Sequence, residues 1–305
     1  MIPVLAVLAA AVLFGTTGTA QALGPDGSTP LSVGVARLVI GGTALAVIGL
    51  GIGRGQRMRQ AAPPRLTRRA FALMAITGVC LAAYQPLFFL GTARSGVAVG
   101  TVIALGSAPV LAGLLEWALT RRLPSRAWMA ATALATIGVA LLVVNGGGSD
   151  GADPLGIMGS LGAGASFAVF ANAQRRLMDA GWDPFTVAGA MGGGSAICGA
   201  CAAPFTDLGW LAAPDGLTLS LWLGLATIAV AYTLFTWGLQ RLTAATAATL
   251  TLAEPLTAGV LGVLVLGETL TDTAIVGLVV LAAGLVLLAA FSRAPRDPEP
   301  YAVEA

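Results

Sequence analysis

Ten apolar blocks of about 18–24 residues follow one another along this chain, each long enough to cross the hydrocarbon core of a bilayer. In lipid a segment has to satisfy its own backbone polar groups, so blocks of this length and number fold as a bundle of spanning helices. They run near residues 3–23, 31–52, 70–92, 97–119, 127–144, 155–173, 184–204, 217–238, 243–266 and 273–291. The breaks carry turn chemistry: Gly24-Pro25-Asp26-Gly27, Ala62-Pro63-Pro64, Gly146-Gly147-Gly148 and Ala213-Pro214-Asp215-Gly216. Composition closes off a soluble fold, since 10% of the residues are charged and 57% apolar, against roughly 25% charged in an ordinary soluble domain. The polar, Pro-rich residues 292–305 are expected to form a disordered cytoplasmic tail.

Arginine placement orients the bundle. Alternating the breaks puts Arg54, Arg57, Arg59, Arg65, Arg68, Arg69, Arg121, Arg122, Arg126, Arg175, Arg176, Arg241, Arg293 and Arg296 on one side. Arg94 is alone on the other side and Arg37 lies within a helix, which accounts for all 16 basic residues. Positive charge collects in cytoplasmic loops, so both termini are expected in the cytoplasm of a cell bounded by this inner membrane. Ala20-Gln21-Ala22 resembles a signal-peptide cleavage site, but the first block lacks a basic start. Its match to a block in the second half argues that it stays.

That match belongs to an ordered internal repeat. Phe14, Ala20 and Gln21 fall on Phe167, Ala173 and Gln174; Pro30, Val33 and Ala36 on Pro184, Val187 and Ala190. Gly91 and Arg94 fall on Gly238 and Arg241, and Pro109, Ala112, Gly113, Leu115 and Gly138 on Pro255, Ala258, Gly259, Leu261 and Gly284. Five helices per half force the halves, residues 1–144 and 155–291, into opposite orientations. The expected fold is therefore an all-α membrane protein of ten transmembrane helices, two inverted five-helix repeats around a central cavity, as in many secondary transporters.

The run Ala253-Glu254-Pro255-Leu256-Thr257-Ala258, then Leu266-Gly267-Glu268-Thr269-Leu270-Thr271 with Gly277 and Gly284, resembles the signature of EamA-type transporters of the drug/metabolite transporter superfamily. Tyr84 with Gly91, Ser95 and Pro109 fits the same pattern in the first half, as does Phe14-Gly15-Thr16-Thr17 followed by Arg37. The first half departs at Arg121-Arg122, where the family often has Gly-Glu. The resemblance implies ten helices around a cavity and export of small metabolites, amino acids or drugs by alternating access.

Three charges lie inside the proposed spans, and intramembrane charges usually face the bundle interior. Glu116 is near the cytoplasmic end of its helix and snorkels there. Arg37 is six residues from the outer end of helix two, about 9 Å deep; it can reach the interface, bind an anionic group or pair with a carboxylate. Glu254 is eleven residues into helix nine, about 17 Å deep and near the midplane, which suits proton coupling or a buried pair with Arg37. The matched Pro109 and Pro255 are fixed bends or hinges. Gln21, Tyr84, Gln85, Asn172, Gln174, Tyr232 and Trp237 join Arg37 as candidate substrate-binding side chains, although tyrosine and tryptophan also serve as interfacial anchors.

Other chemistry is poorly supplied. The absence of His removes zinc pairs, serine–histidine dyads and imidazole relays. Cys198-Gly199-Ala200-Cys201 has redox spacing but sits in an apolar segment, where its members read as small packing residues. The glycine-rich stretches lack the strand and Lys of a phosphate loop. No catalytic residue, metal or cofactor is expected, and no nucleic-acid partner. The partners are a small-molecule substrate and the lipid bilayer, with oligomeric state unknown and import against export unspecified. The leading reading is a secondary active transporter, an exporter, with proton exchange as one candidate energy source beside facilitated diffusion; the alternative is a membrane-embedded lipid-modifying enzyme, which would want polar residues clustered at one interface. Reporter fusions after Phe291 and beside Arg59 and Arg122 should read cytoplasm, and those beside Asp26, Asp150 and Asp215 the exterior. An exterior C-terminus would remove one helix and undo the inverted repeat.

Overall fold

The computed structural model describes residues 1–60, 63–143, 153–267 and 269–291. The Gly146-Gly147-Gly148 break, Ala62, Glu268 and the tail 292–305 lie outside these described residues. The described chain is helical throughout its spans: α1 (Ile2–Ala22), α2 (Pro30–Arg59), α3 (Arg68–Ser95), α4 (Val97–Thr120), α5 (Arg126–Val143), α6 (Pro154–Asp179), α7 (Pro184–Phe205), α8 (Pro214–Leu239), α9 (Ala244–Leu266) and α10 (Asp272–Phe291). Among the described residues nine of these are long and apolar enough to cross a membrane, and α5 is a shorter apolar helix. The protein is a multi-pass membrane protein.

Local sequence sets the helix starts. Proline occupies the first position of α2, α6, α7 and α8, where its missing N–H costs nothing. Thr29 and Ser32 cap α2 reciprocally, Ser32 N–H donating to Thr29 Oγ1 at 3.1 Å and Thr29 N–H to Ser32 Oγ at 3.0 Å. Thr67, Asp153, Asp183 and Thr243 cap α3, α6, α7 and α9 in the same role.

Small residues then let the helices approach closely, as lipid supplies no hydrophobic drive for their association. The dominant packings are α3 on α6, α5 on α10, α2 on α7, α4 on α6, α3 on α7, α2 on α8, and α1 on both α8 and α9. A Cβ on Gly42 would meet the Gly192 carbonyl at 2.6 Å, and one on Gly192 the Gly42 carbonyl at 2.7 Å. Gly138 lies in the same way against Leu281 of α10, and Gly284 against Ala131 and Ala135 of α5.

Two features differ from the sequence expectation. The sixth helix runs on to Asp179, so Arg175 is not a loop charge: it is buried. Its Nη1 donates to the carbonyls of Leu239, Gln240 and Leu242 at 3.1, 2.6 and 3.3 Å, closing the end of α8. Its Nη2 pairs with Asp179 Oδ1 at 2.6 Å. Glu116, also at this end, does more than snorkel, because its Oε2 accepts the N–H of Ala245 in the first turn of α9 at 2.9 Å. Secondly, α9 is interrupted. Its helix stops at Leu250 and restarts at Ala253, so Glu254 stands in the first turn of a second half-helix and not mid-way along a continuous one. Arg175→Ala should destabilise the purified protein by about 3–5 kcal/mol, seen as a sharp fall in its thermal unfolding midpoint, since it strips Asp179 of this buried partner and uncovers three carbonyls.

Candidate functional site

A central cavity of about 400 Å³ lies among α1, α2, α3, α4, α6, α8 and α9. Two irregular backbone stretches border it. At the interruption of α9, Glu254 N–H donates to Thr251 O three residues back at 2.9 Å, and Leu252 N–H to Thr249 O at 3.1 Å. Pro255, with no N–H, could not have bridged to Thr251 in an unbroken helix. The threonines repair the ladder: Thr251 Oγ1 donates to Ala248 O at 2.8 Å and Thr249 Oγ1 to Ala245 O at 3.0 Å. In α8 the turn widens to a π-helix over Trp222–Val230, a feature that often marks functional sites.

Arg37 comes into the cavity from α2. It is 7% exposed, and its Nη2 donates to Thr227 Oγ1 of the π-helical stretch at 3.1 Å. Thr227 Oγ1 in turn donates to Leu223 O at 2.5 Å. Arg37 Nε is buried without a partner. Glu254 lines the same cavity from α9, yet among the described residues no ion pair within 4 Å joins it to Arg37. The pair expected as one reading of these charges is not formed. Tyr84, stacked on Phe88 with centroids 6.1 Å apart, and Tyr232 complete the polar wall with Gln21 and Gln85. Gln85 Oε1 is buried with no protein hydrogen-bond partner among the described residues.

One end of the cavity is shut by aromatic rings. Phe14 meets Tyr232 at 4.9 Å, Phe167 meets Phe170 at 4.7 Å, and Phe235 packs on Phe167, Phe170 and Tyr232 at 5.7, 6.2 and 6.3 Å. Behind these rings lies the Arg175–Asp179 end of the bundle. The lining toward the opposite end includes Gln21, near the C-terminus of α1, and Thr101, near the N-terminus of α4.

Of the sequence candidates, Gln21, Arg37, Tyr84, Gln85, Tyr232, Glu254 and Pro255 border this space. The others sit elsewhere. Asn172 Nδ2 donates to Ala112 O at 3.2 Å and Ala168 O at 2.9 Å, tying α6 to α4. Gln174 Nε2 donates to Met191 Sδ at 2.9 Å and its Oε1 accepts from Thr236 at 3.2 Å. Trp237 is half-buried on α8, and Pro109 is buried in the unbroken α4. Sequence reasoning missed Thr227 and Thr251, whose type alone carries no signal in an apolar helix. It also missed Pro86 inside α3, legible as a proline within an apolar block. Replacing Pro255 by Ala gives residue 255 an N–H able to bond Thr251 O and mend the helix. It should lower transport by about tenfold, equivalent to about 1.4 kcal/mol, with the unfolding midpoint kept, whereas Pro109→Ala in the continuous α4 should do much less.

Comparison with known proteins bears on the same chain. The profile of the EamA-like transporter family matches residues 1–144 and again 154–290. A Bacillus subtilis (strain 168) protein described as "Uncharacterized transporter YwfM" is 40% identical over 297 residues, 96% of this chain and 95% of its own length. One solved crystal structure superposes with a TM-score of 0.77 at 18% identity, covering 95% of this chain and 97% of its own, a likeness of fold.

Proposed function

This chain belongs to the EamA-like transporter family, and we propose that it is a proton-coupled exporter of small molecules working by alternating access in the inner membrane. It is a transporter and not an enzyme, so the lipid-modifying alternative falls away. The observation that carries the proposal is the cavity itself: two opposite charges, Arg37 and Glu254, face one space beside two backbone irregularities. Discontinuous helices at the midplane are where transporters of this architecture hold their cargo.

The inverted repeat is part of the proposal, with halves at residues 1–144 and 155–291. Its support is the packing pattern, which maps onto itself when each helix is exchanged for the one five places along. Thus α1 on α9 answers α6 on α4, α1 on α8 answers α6 on α3, and α2 on α8 answers α7 on α3, while α2–α7 and α5–α10 answer themselves. Gly138 against Leu281 is answered by Gly284 against Ala135. The two halves are in different states. Gln21 and Arg37 line a cavity, whereas the residues aligned with them, Gln174 and Met191, are bonded to each other and sealed. With both termini cytoplasmic, the aromatic rings and the Arg175–Asp179 end form the closed inner gate, and this conformation is the one loaded or emptied from outside. Alternating access then consists of the two halves exchanging these arrangements.

Glu254 is the coupling group. A charged carboxyl in a low-dielectric cavity is costly, and no His is present to take its place, so its proton is the one exchanged against cargo. The substrate is found first, by counterflow in proteoliposomes loaded with amino acids, sugars or cationic drugs. Glu254→Gln should still exchange that substrate down its gradient, more slowly where the cargo carries a cationic group, but should not respond to an imposed pH gradient. Uphill accumulation by Glu254→Gln equal to wild type would make Glu254 a structural residue and the protein a facilitator.

A further inference from the structure

The wall of the central cavity is one side chain thick on the side of α3. Behind it, between α2, α3 and α7, lies an apolar crevice of about 290 Å³ bounded by Gly34, Val35, Val79, Ala83 and Cys198. Leu38, Gln85 and Phe89 border both spaces. The partition is built to be thin. Gly34 leaves open a place where a Cβ would touch Gln85 and Phe89 at 3.5–3.9 Å, and Pro86, next to Gln85, removes the N–H that would bind Ala82 O and so loosens α3 at this level. The crevice lining carries no charged side chain. Gln85, its Oε1 buried, is the polar member of this shared wall, between Leu38 and Phe89.

We propose that the crevice is an apolar subsite of the cavity, taking the hydrocarbon tail of a zwitterionic amphiphile whose head lies between Arg37 and Glu254. The inference rests on the reading of that cavity as the transport site. Arg37 and Leu38 are consecutive on α2, so the group that binds the anionic part of the head is next in sequence to the partition through which the tail passes. Arg37 holds only Thr227 and keeps Nε unmatched, which leaves a donor for a carboxylate. The cationic part of the head goes to Glu254, the one carboxylate among the cavity-lining residues.

The test uses the full-length protein in nanodiscs, titrated calorimetrically with straight-chain 2-aminoalkanoates of four to eight carbons and corrected with empty nanodiscs. Wild type should gain about fourfold in affinity per added methylene, the worth of burying one. Ala83→Phe, which fills the crevice, should bind the four-carbon probe as wild type does and lose the gain with length; Ala83→Leu, a smaller filling, should show the same trend if the Phe variant does not fold. Arg37→Gln should weaken every member of the series alike. An unchanged length dependence in both Ala83 variants overturns the subsite and leaves the crevice to bilayer lipid. Equal binding of alkylammonium ions with the same tails overturns the zwitterionic head. Both results leave the pH-gradient response of Glu254 untouched, so failure here is distinct from failure of the transport reading.

Discussion

A backbone group left unpaired in hydrocarbon costs several kcal/mol, and that constraint shapes the two irregular stretches beside the cavity. The helix of α9 breaks at Thr251–Leu252 and the turn of α8 widens over Trp222–Val230, and both places border the central cavity. In each, threonine hydroxyls take up carbonyls along the disturbed ladder: Ala248 and Ala245 in α9, Leu223 in α8. Thr227 then has its oxygen available to Arg37. In α8 one threonine thus serves both the backbone and the buried cation.

The cavity exists because the rest of the bundle is so closely packed. Where α2 meets α7 and α5 meets α10, glycine brings backbone against backbone, and no room is left for side chains between the axes. Bulk is concentrated in the middle, in Phe14, Phe167, Phe170, Tyr232 and Phe235, which meet at one level and stop the space on that side. Rings in tilted and edge contact interlock at fixed angles. They separate as a set or stay together as a set, which suits a gate with two positions better than a wall that yields gradually.

The fold was far more legible than the site, for a physical reason. Span length and arginine bias are properties of whole segments, and the bilayer reads them segment by segment; the apolar blocks and the helices agree closely along the described chain. Arg37 and Glu254 were legible because a charge in an apolar block has few places to go. Gln174 shows the limit. It aligns with Gln21, which lines the cavity, but a buried amide is satisfied by whatever neighbour is closest, and Met191 and Thr236 were invisible without coordinates. Arg175 misled for the opposite reason: its position at a block's end reads as a loop, yet the carbonyls at the end of α8 and in the turn after it needed its donors. The break in α9 had a signal, Pro255, whose position in the first turn of a restarted helix and not in the middle of one depends on hydrogen bonds from Thr249 and Thr251 that no spacing rule contains.

If Glu254 is the coupling group proposed above, the electrostatics of the cavity tie cargo to proton more tightly than either charge alone would. An arginine stays protonated under all conditions of interest, so the fixed charge of the site is set by Glu254: neutral overall when the carboxyl is ionised, positive by one when it is protonated. A purely anionic cargo would bind best beside a protonated Glu254, and proton and cargo would then cross together. A cargo that also carries an ammonium group competes with the proton for the same carboxylate, so that either one or the other crosses, which is exchange. Because Arg37 and Glu254 do not neutralise each other directly, each keeps its hydrogen-bonding capacity for cargo, and no internal ion pair has to be broken before the head can bind. On that reading the sign of the coupling would follow from the charge of the cargo's second group, and a zwitterion would be the simplest cargo for an exchanger built on this cavity.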